Sequence, residues 1–135
     1  MPALRTSIRH APDLLKAQHR CRTLARELAF PKDALAALCT AVSEVANNLL
    51  RYAGEGTLSF AVFADHHRAG IEVVAEDHGP GIADLDAAMT DGYSTGDSLG
   101  IGLPGARRLV DEFHIESAPH RGTTVRLVKW VRRPG

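Results

Sequence analysis

The stretch from Ser43 to Gly54 decides the fold, and it reads SEVANNLLRYAG. Its apolar residues continue a spacing of three and four that begins further upstream, and this spacing predicts an amphipathic helix. Gly54 follows and fits a C-terminal cap, because glycine readily adopts the left-handed conformation that closes a helix. The sequence therefore predicts a long helix that ends at Ala53. Its apolar stripe consists of Leu35, Leu38, Val42, Val45 and Leu49.

Two polar residues of this helix, Glu44 and Asn48, are four positions apart and therefore share a face. At ~100° of rotation per residue, both point roughly 100 to 140° away from the apolar stripe, toward a site rather than the core. A carboxylate beside a neutral amide suits a general base next to a Mg²⁺ ligand, because Mg²⁺ prefers oxygen donors. When the spacing is taken alone, a solvated helix face is the simpler interpretation.

The elements on either side of this helix indicate the fold class. Tight connections within two strand pairs predict antiparallel pairing, and helices with one apolar stripe each cover a single face of a sheet. We therefore predict an α/β fold, a two-layer sandwich with a mixed, mainly antiparallel sheet and its helices on one face. The other predicted elements are an edge strand at 4–9, a helix from Pro12 that ends before Pro31, strands at 58–62 and 71–76 around a turn at 66–70, a helix after Gly100, and strands at 113–116 and 123–131.

Composition limits the classes of function. The 135 residues, 44% hydrophobic and 24% charged, predict one globular domain over 1–135. Sixteen Lys and Arg balance sixteen Asp and Glu, so the chain has no broad positive field and we expect no nucleic-acid partner. Without a signal sequence or an apolar run of spanning length, we expect no membrane association and a cytoplasmic protein. The two cysteines, Cys21 and Cys39, are expected to be buried free thiols.

A second candidate site segment, residues 77–82, reads DHGPGI at the end of a predicted strand. Gly79 and Gly81 permit a tight turn and the close approach of a ligand to the backbone. Asp77 is placed to accept a hydrogen bond from an exocyclic amine. A plain turn between a strand and a loop is the competing interpretation.

A third segment, residues 100–105, reads GIGLPG and formally matches the dinucleotide-binding fingerprint. That fingerprint needs a preceding strand, but the stretch from Ala83 to Leu99 is rich in Asp, Gly, Ser and Thr and predicts a mobile lid, with a short helix at Leu85–Met89. A Rossmann site is therefore disfavoured. The remaining alternatives are a glycine-rich helix start that binds an anion such as phosphate and a tightly packed helix start.

Taken together, the three segments resemble the N box and glycine boxes of the GHKL ATP-binding superfamily. The similarity is greater to the RsbT-type serine/threonine kinases. It is carried by residues 43–54, by DGYSTG at 91–96, and by GIGLPGARRL at 100–109 running on to 111–113. It spans roughly Leu4 to Lys129.

This resemblance implies a Bergerat-type sandwich that binds ATP and Mg²⁺ between the helices and the lid. By position, it implies that Glu44 is the general base, Asn48 the Mg²⁺ ligand and Asp77 the acceptor for the adenine amine. The lid has no Lys or Arg, so charge neutralisation rests on Mg²⁺, on the helix start and on Arg107 or Arg108. The residues that the resemblance implies for ATP binding are Asn48, Asp77, Gly79, Gly81, Ile82, Gly100, Gly102, Leu103 and Thr124, with Thr123 as the alternative to Thr124.

The resemblance also implies an activity and its partners. We expect a Mg-ATP-dependent protein serine/threonine kinase that phosphorylates STAS-domain proteins of the RsbS and RsbR kind and switches partners in a bacterial stress response. A serine phosphatase of the RsbU kind is the second expected partner, and a sigma factor ranks below both. The alternative is an anti-sigma factor or ATP-gated adaptor that acts by sequestration, but the presence of Glu44 favours the kinase.

Overall fold

The computed structural model describes residues 4–82, 89 and 102–133. Within these ranges the chain forms five strands and three helices in the predicted order. The predicted lid at 83–99, apart from Met89, lies outside the described residues, as does Gly100. The elements are β1 (Leu4–Ile8), α1 (Ala11–Glu27), α2 (Lys32–Ala53), β2 (Gly56–Ala64), β3 (Arg68–Glu76), α3 (Gly102–Arg108), β4 (Glu112–Ala118) and β5 (Gly122–Arg132).

The five strands form one sheet in the order β1-β2-β3-β5-β4. All four neighbouring pairs are antiparallel, so among the described residues the sheet lacks the parallel pair that a mixed sheet would contain. β1 is an edge strand, and β2–β3 and β4–β5 are hairpins, as predicted. β5 lies between β3 and β4, which brings the end of β3 beside the start of β5. The predicted α/β class is confirmed.

The core lies between the sheet and the helices. Alternate side chains of the central strands point to this side, as the period of two requires. The predicted stripe of α2 packs onto them, and α1 packs against α2 and β1. The arrangement is the predicted two-layer sandwich. The principal buried residues are Leu58, Phe60, Ile71, Val73, Val125 and Leu127 of the sheet, Leu38, Val42, Val45 and Leu49 of α2, and Ala17, Cys21 and Leu24 of α1.

Both long helices end where the sequence predicts. At the start of α1, an Asp13 Oδ2 atom accepts hydrogen bonds from the backbone N–H groups of Arg9 and His10, at 2.9 and 3.0 Å. These bonds lower the pKa of the Asp13 carboxyl. α2 closes at Gly54, which has φ of +81° and donates its N–H to the Leu50 carbonyl at 3.1 Å. The left-handed glycine cap is therefore confirmed.

The β2–β3 turn is shorter than predicted. The predicted turn at His66–Gly70 is wrong from Arg68 onward, because β3 begins at Arg68 and Gly70 is paired within the sheet. The Phe63 ring covers Gly70, and an added Cβ would lie 2.2 Å from Phe63 Cζ. Glycine at this position therefore marks a close contact within the hairpin rather than a turn.

None of the helices in the described ranges is both long and apolar enough to cross a lipid bilayer.

We expect Leu38→Ala to lower the free energy of unfolding by about 2 to 5 kcal/mol, because Leu38 is fully buried and its truncation leaves a cavity. The matched control is Leu15→Ala on α1, where the side chain is 69% exposed and the change should stay within about 0.5 kcal/mol. Urea denaturation of the wild type and both variants measures the difference. Similar losses for the two variants would contradict the assigned face of α2.

Candidate functional site

Glu44 is held at the junction of α2 and α3. Its side chain is half-buried, and its Oε2 atom accepts a hydrogen bond from the backbone N–H of Gly102 at 3.1 Å. The residues that meet are 58 positions apart in sequence. The structure therefore brings together two of the three segments that the sequence singled out, with the carboxylate beside the glycine-rich helix start.

Asn48 follows Glu44 after one turn of α2 and is also half-buried. Within the described ranges its carboxamide makes no hydrogen bond, and no group of three His, Cys, Asp or Glu side chains is placed to hold a metal ion. A hard cation at Asn48 would thus need most of its oxygen ligands from phosphates and water. Mg²⁺ is commonly bound in this way, with only one or two protein ligands. The donor set fits a Mg²⁺–nucleotide complex better than a free metal ion.

Asp77 lies at the end of β3 and is 6% exposed. Its Oδ1 atom accepts hydrogen bonds from the backbone N–H groups of Gly79, at 2.9 Å, and Thr123, at 3.2 Å. Its own N–H donates to the Thr123 carbonyl at 3.0 Å. Oδ2 accepts no hydrogen bond from any described residue. One oxygen of the carboxylate therefore fixes the side chain, and the other is left to accept from a ligand.

The two glycines after Asp77 form the predicted tight turn, but the close approach is to the protein itself. A Cβ at Gly79 would lie 2.6 Å from the Cβ of Ala53, at the end of α2. Gly81 has φ of +81°, and a Cβ there would lie 2.3 Å from the Ala118 carbonyl oxygen. The segment is thus wedged between the end of α2 and the β4–β5 turn. This packing fixes the backbone around Asp77.

Thr123 and Thr124 occupy opposite faces of β5. Thr123 is buried on the helix side, where its N–H donates to Asp77. Thr124 pairs with Glu76 and Glu116 and alternates with Thr123, so its side chain is on the other face of the sheet. The geometry therefore favours Thr123, the alternative in the sequence interpretation, over Thr124 as a residue beside Asp77.

Two residues of this region were missed by the sequence analysis. Ser117 Oγ accepts the N–H of Ile82 at 2.7 Å and lies 2.8 Å from Thr123 Oγ1, so it ties the turn to the sheet. Gly122 has φ of +85°, and a Cβ there would lie 2.1 Å from the Asp77 carbonyl oxygen. No local pattern marks Ser117, whereas the glycine next to the threonine pair was a visible signal for Gly122.

The start of α3 completes the described part of the site. Gly102 has φ of +67°, and the Leu103 side chain is buried against the core. Arg107 and Arg108 are exposed in the last turn of α3, about 8 Å along the helix axis from Gly102. Both arginines therefore follow the buried first turn of α3 and face solvent.

Sequence comparison relates the chain to known proteins. The family model for the histidine kinase-like ATPase domain matches residues 8–129. The chain is 42% identical over 120 residues to the serine/threonine-protein kinase RsbT of Bacillus subtilis, which covers 89% of this chain and 90% of that protein. It is 33% identical over 105 residues to the anti-sigma F factor of Caldanaerobacter subterraneus, which covers 73% of this chain and 72% of that protein.

Solved structures support the same fold. The crystal structure of the RsbU and RsbW domains of Rv1364c from Mycobacterium tuberculosis superposes with a TM-score of 0.66 at 20% identity. The similarity covers all of this chain and 34% of that one. The mycobacterial sensor histidine kinase MprB gives a TM-score of 0.55 at 18% identity, over 99% of this chain and all of that one. At these sequence identities, the two structures support only the assignment of the fold.

We expect Gly122→Ala to destabilise the protein more than Gly54→Ala. Both glycines have φ above +80°, so each alanine costs about 1 to 2 kcal/mol of backbone strain. Only at Gly122 would the new Cβ also meet a backbone atom, since nothing lies within 4 Å of a Cβ at Gly54. Chemical denaturation measures both losses. Equal losses would mean that the Asp77 backbone does not pack against Gly122.

Proposed function

Because the chain belongs to the family of histidine kinase-like ATPase domains, we propose that it is a Mg-ATP-dependent protein serine/threonine kinase. The 42% identical relative carries this activity in its name. The observation that supports it most directly is the hydrogen bond between Glu44 and Gly102, which holds a carboxylate at the glycine-rich helix start. Phosphoryl transfer depends on positioning and charge stabilisation, which a small domain can supply.

In this proposal, ATP binds beside Asp77 through its adenine. The Oδ2 atom accepts the exocyclic amine, while Oδ1 stays bonded to the backbone of Gly79 and Thr123. Gly81 and Ile82 complete the turn that holds Asp77, and Ser117 secures Ile82. Thr123 takes the role that the family resemblance gave to Thr124. A keto group in place of the amine would face a carboxylate, so adenine is preferred over guanine.

The phosphates are proposed to lie between α2 and α3. Asn48 contributes its carboxamide oxygen to Mg²⁺, which neutralises phosphate charge when it is bound. The amides of Gly100, Gly102 and Leu103 are the proposed phosphate donors, of which Gly102 donates to Glu44 in this structure. A phosphate contact by Gly102 would share or replace that hydrogen bond. The nucleotide would then change the position of the Glu44 carboxylate.

Glu44 is proposed to accept the proton of the substrate hydroxyl. The helix fixes it one turn from Asn48, so the proton acceptor and the metal ligand stay in a constant relation. A general base within hydrogen-bond reach of the attacking hydroxyl needs no covalent step of its own. The reaction is proposed to occur in the cytoplasm, where the two free cysteines agree with a reducing environment.

The proposed protein substrates are STAS-domain proteins of the RsbS and RsbR kind, and the second proposed partner is a serine phosphatase of the RsbU kind. The identity to RsbT supports this choice. A sigma factor ranks below both, because the identity to the anti-sigma F factor is lower and covers less of the chain.

Sequestration without turnover is the second candidate function. The relatives named anti-sigma F factor favour it, and the one from Caldanaerobacter subterraneus is 33% identical over 105 residues. An anti-sigma factor or ATP-gated adaptor would use the same nucleotide site to control partner binding. The two functions differ in whether Glu44 acts on a bound hydroxyl.

We expect Asn48→Ala to weaken Mg²⁺-dependent ATP binding by at least about tenfold, because it removes a metal ligand. Asn47→Ala is the matched control, since Asn47 is the neighbouring residue and is exposed. Titration calorimetry of both variants, with Mg²⁺ and with a chelator, separates metal-dependent from metal-independent affinity. An Asn48 variant that binds Mg-ATP as the wild type does would remove Asn48 from the metal site.

We expect Glu44→Gln to keep Mg-ATP and partner binding but to lose phosphorylation by about 10² to 10⁴ in rate. Glutamine preserves the shape and can accept the Gly102 hydrogen bond, but it cannot take up the hydroxyl proton. Phosphate incorporated into a STAS-domain protein is measured beside complex formation by native mass spectrometry. Robust phosphorylation by the variant refutes the base role. A wild type that binds its partner at saturating Mg-ATP without phosphorylating it favours sequestration.

A further inference from the structure

Cys21 of α1 and Cys39 of α2 face each other in the core. Their Sγ atoms are 3.6 Å apart, both thiols are free, and these are the two cysteines of the chain. A disulfide has an S–S length of about 2.05 Å, so the sulfur atoms would need to approach by about 1.5 Å. Disulfide formation therefore requires a change of side-chain rotamer or a small shift of the two helices.

The two thiols differ in reactivity. The hydrogen bond between the two thiols lowers the pKa of Cys39 to about 7; burial opposes this, and Arg22 and Arg26 add to it. The same hydrogen bond raises the pKa of Cys21. Cys21 is fully buried, whereas Cys39 is 6% exposed. Since the thiolate is the nucleophile, an oxidant that enters from solvent reacts first at Cys39.

We propose that Cys21 and Cys39 form a peroxide-reactive dithiol that closes to an intramolecular disulfide between α1 and α2. The Cys39 thiolate attacks one oxygen of hydrogen peroxide, so an S–O bond forms, the O–O bond breaks, and the released hydroxide gains a proton to become water. The Cys21 sulfur then attacks the Cys39 sulfenic acid. The S–S bond forms, the S–O bond breaks, and the Cys21 proton leaves with the hydroxide as a second water. The dithiol loses two electrons and the peroxide gains them.

The disulfide would add a covalent tie between α1 and α2, five residues before Glu44 in α2. Ser43 Oγ donates to the Cys39 carbonyl at 3.0 Å, and Gln18 Nε2 donates to Ser43 Oγ, so α1 and α2 are already bridged one turn beyond the cysteines. A thiol reductant reverses the tie, as expected for an intracellular redox site. This inference does not depend on the proposed kinase activity.

The test treats the folded, reduced full-length protein with hydrogen peroxide. We expect the count of free thiols to fall from two to none, the intact mass to fall by two hydrogens, and the product to remain monomeric on a non-reducing gel. Peptide mapping should show Cys21 linked to Cys39, and the oxidised protein should unfold at a higher temperature than the reduced one. A dithiol reductant should restore both thiols.

Two single variants test the order of the steps. Cys21→Ser should accumulate sulfenic acid at Cys39, which dimedone traps, while Cys39→Ser should label at Cys21 at least about tenfold more slowly. Circular dichroism checks that each variant is folded. If a variant is unfolded, the intact mass and the peptide map of the oxidised wild type decide the proposal. Three results would overturn the proposal. They are disulfide-linked dimers, sulfinic acid without a disulfide, and two intact thiols in the folded protein at a peroxide concentration that oxidises the unfolded chain.

Discussion

The rest of the site depends on one buried carboxylate. Removing Asp77 from water is costly unless its oxygens are hydrogen-bonded, and the backbone amides of Gly79 and Thr123 meet that requirement for Oδ1. The end of β3 must therefore lie beside the start of β5, and Gly122 must lack a side chain so that the two backbones can approach. The strand order and the turn at this end of the sheet place both of these amides on Asp77.

The long helix α2 connects the packing around Asp77 to the residues proposed for phosphoryl transfer. Its stripe fills the core, its C-terminal residue Ala53 packs on Gly79, and its polar face carries Glu44 and Asn48. At 1.5 Å per residue, the helix spans about 33 Å, so one rigid element touches both proposed ends of the nucleotide. A change in how α2 packs would move the base, the metal ligand and the adenine turn together.

The periodicity of α2, its glycine cap and both hairpins were predictable, because each follows from a local pattern. The sharing of one helix face by Glu44 and Asn48 was predictable for the same reason. Thr123 could not be chosen over Thr124, because a shift of one residue in a strand exchanges its two faces. Ser117 and the Cys21–Cys39 contact depend on how separate elements meet, and neither leaves a pattern in the sequence.

Because residues 83–99 contain no Lys or Arg, the α2–α3 contact has a larger role in the proposed phosphate binding. Without basic side chains in that segment, the proposed phosphates depend on a metal ion at Asn48, on backbone amides and on Arg107 or Arg108. Backbone donors held by packing lose little freedom when a ligand binds, so they suit a site of this kind. Glu44 lies on one of these amides, and a bound phosphate would compete with it there. In the proposed function, nucleotide binding and the position of the proposed base would therefore be coupled through the Gly102 N–H group.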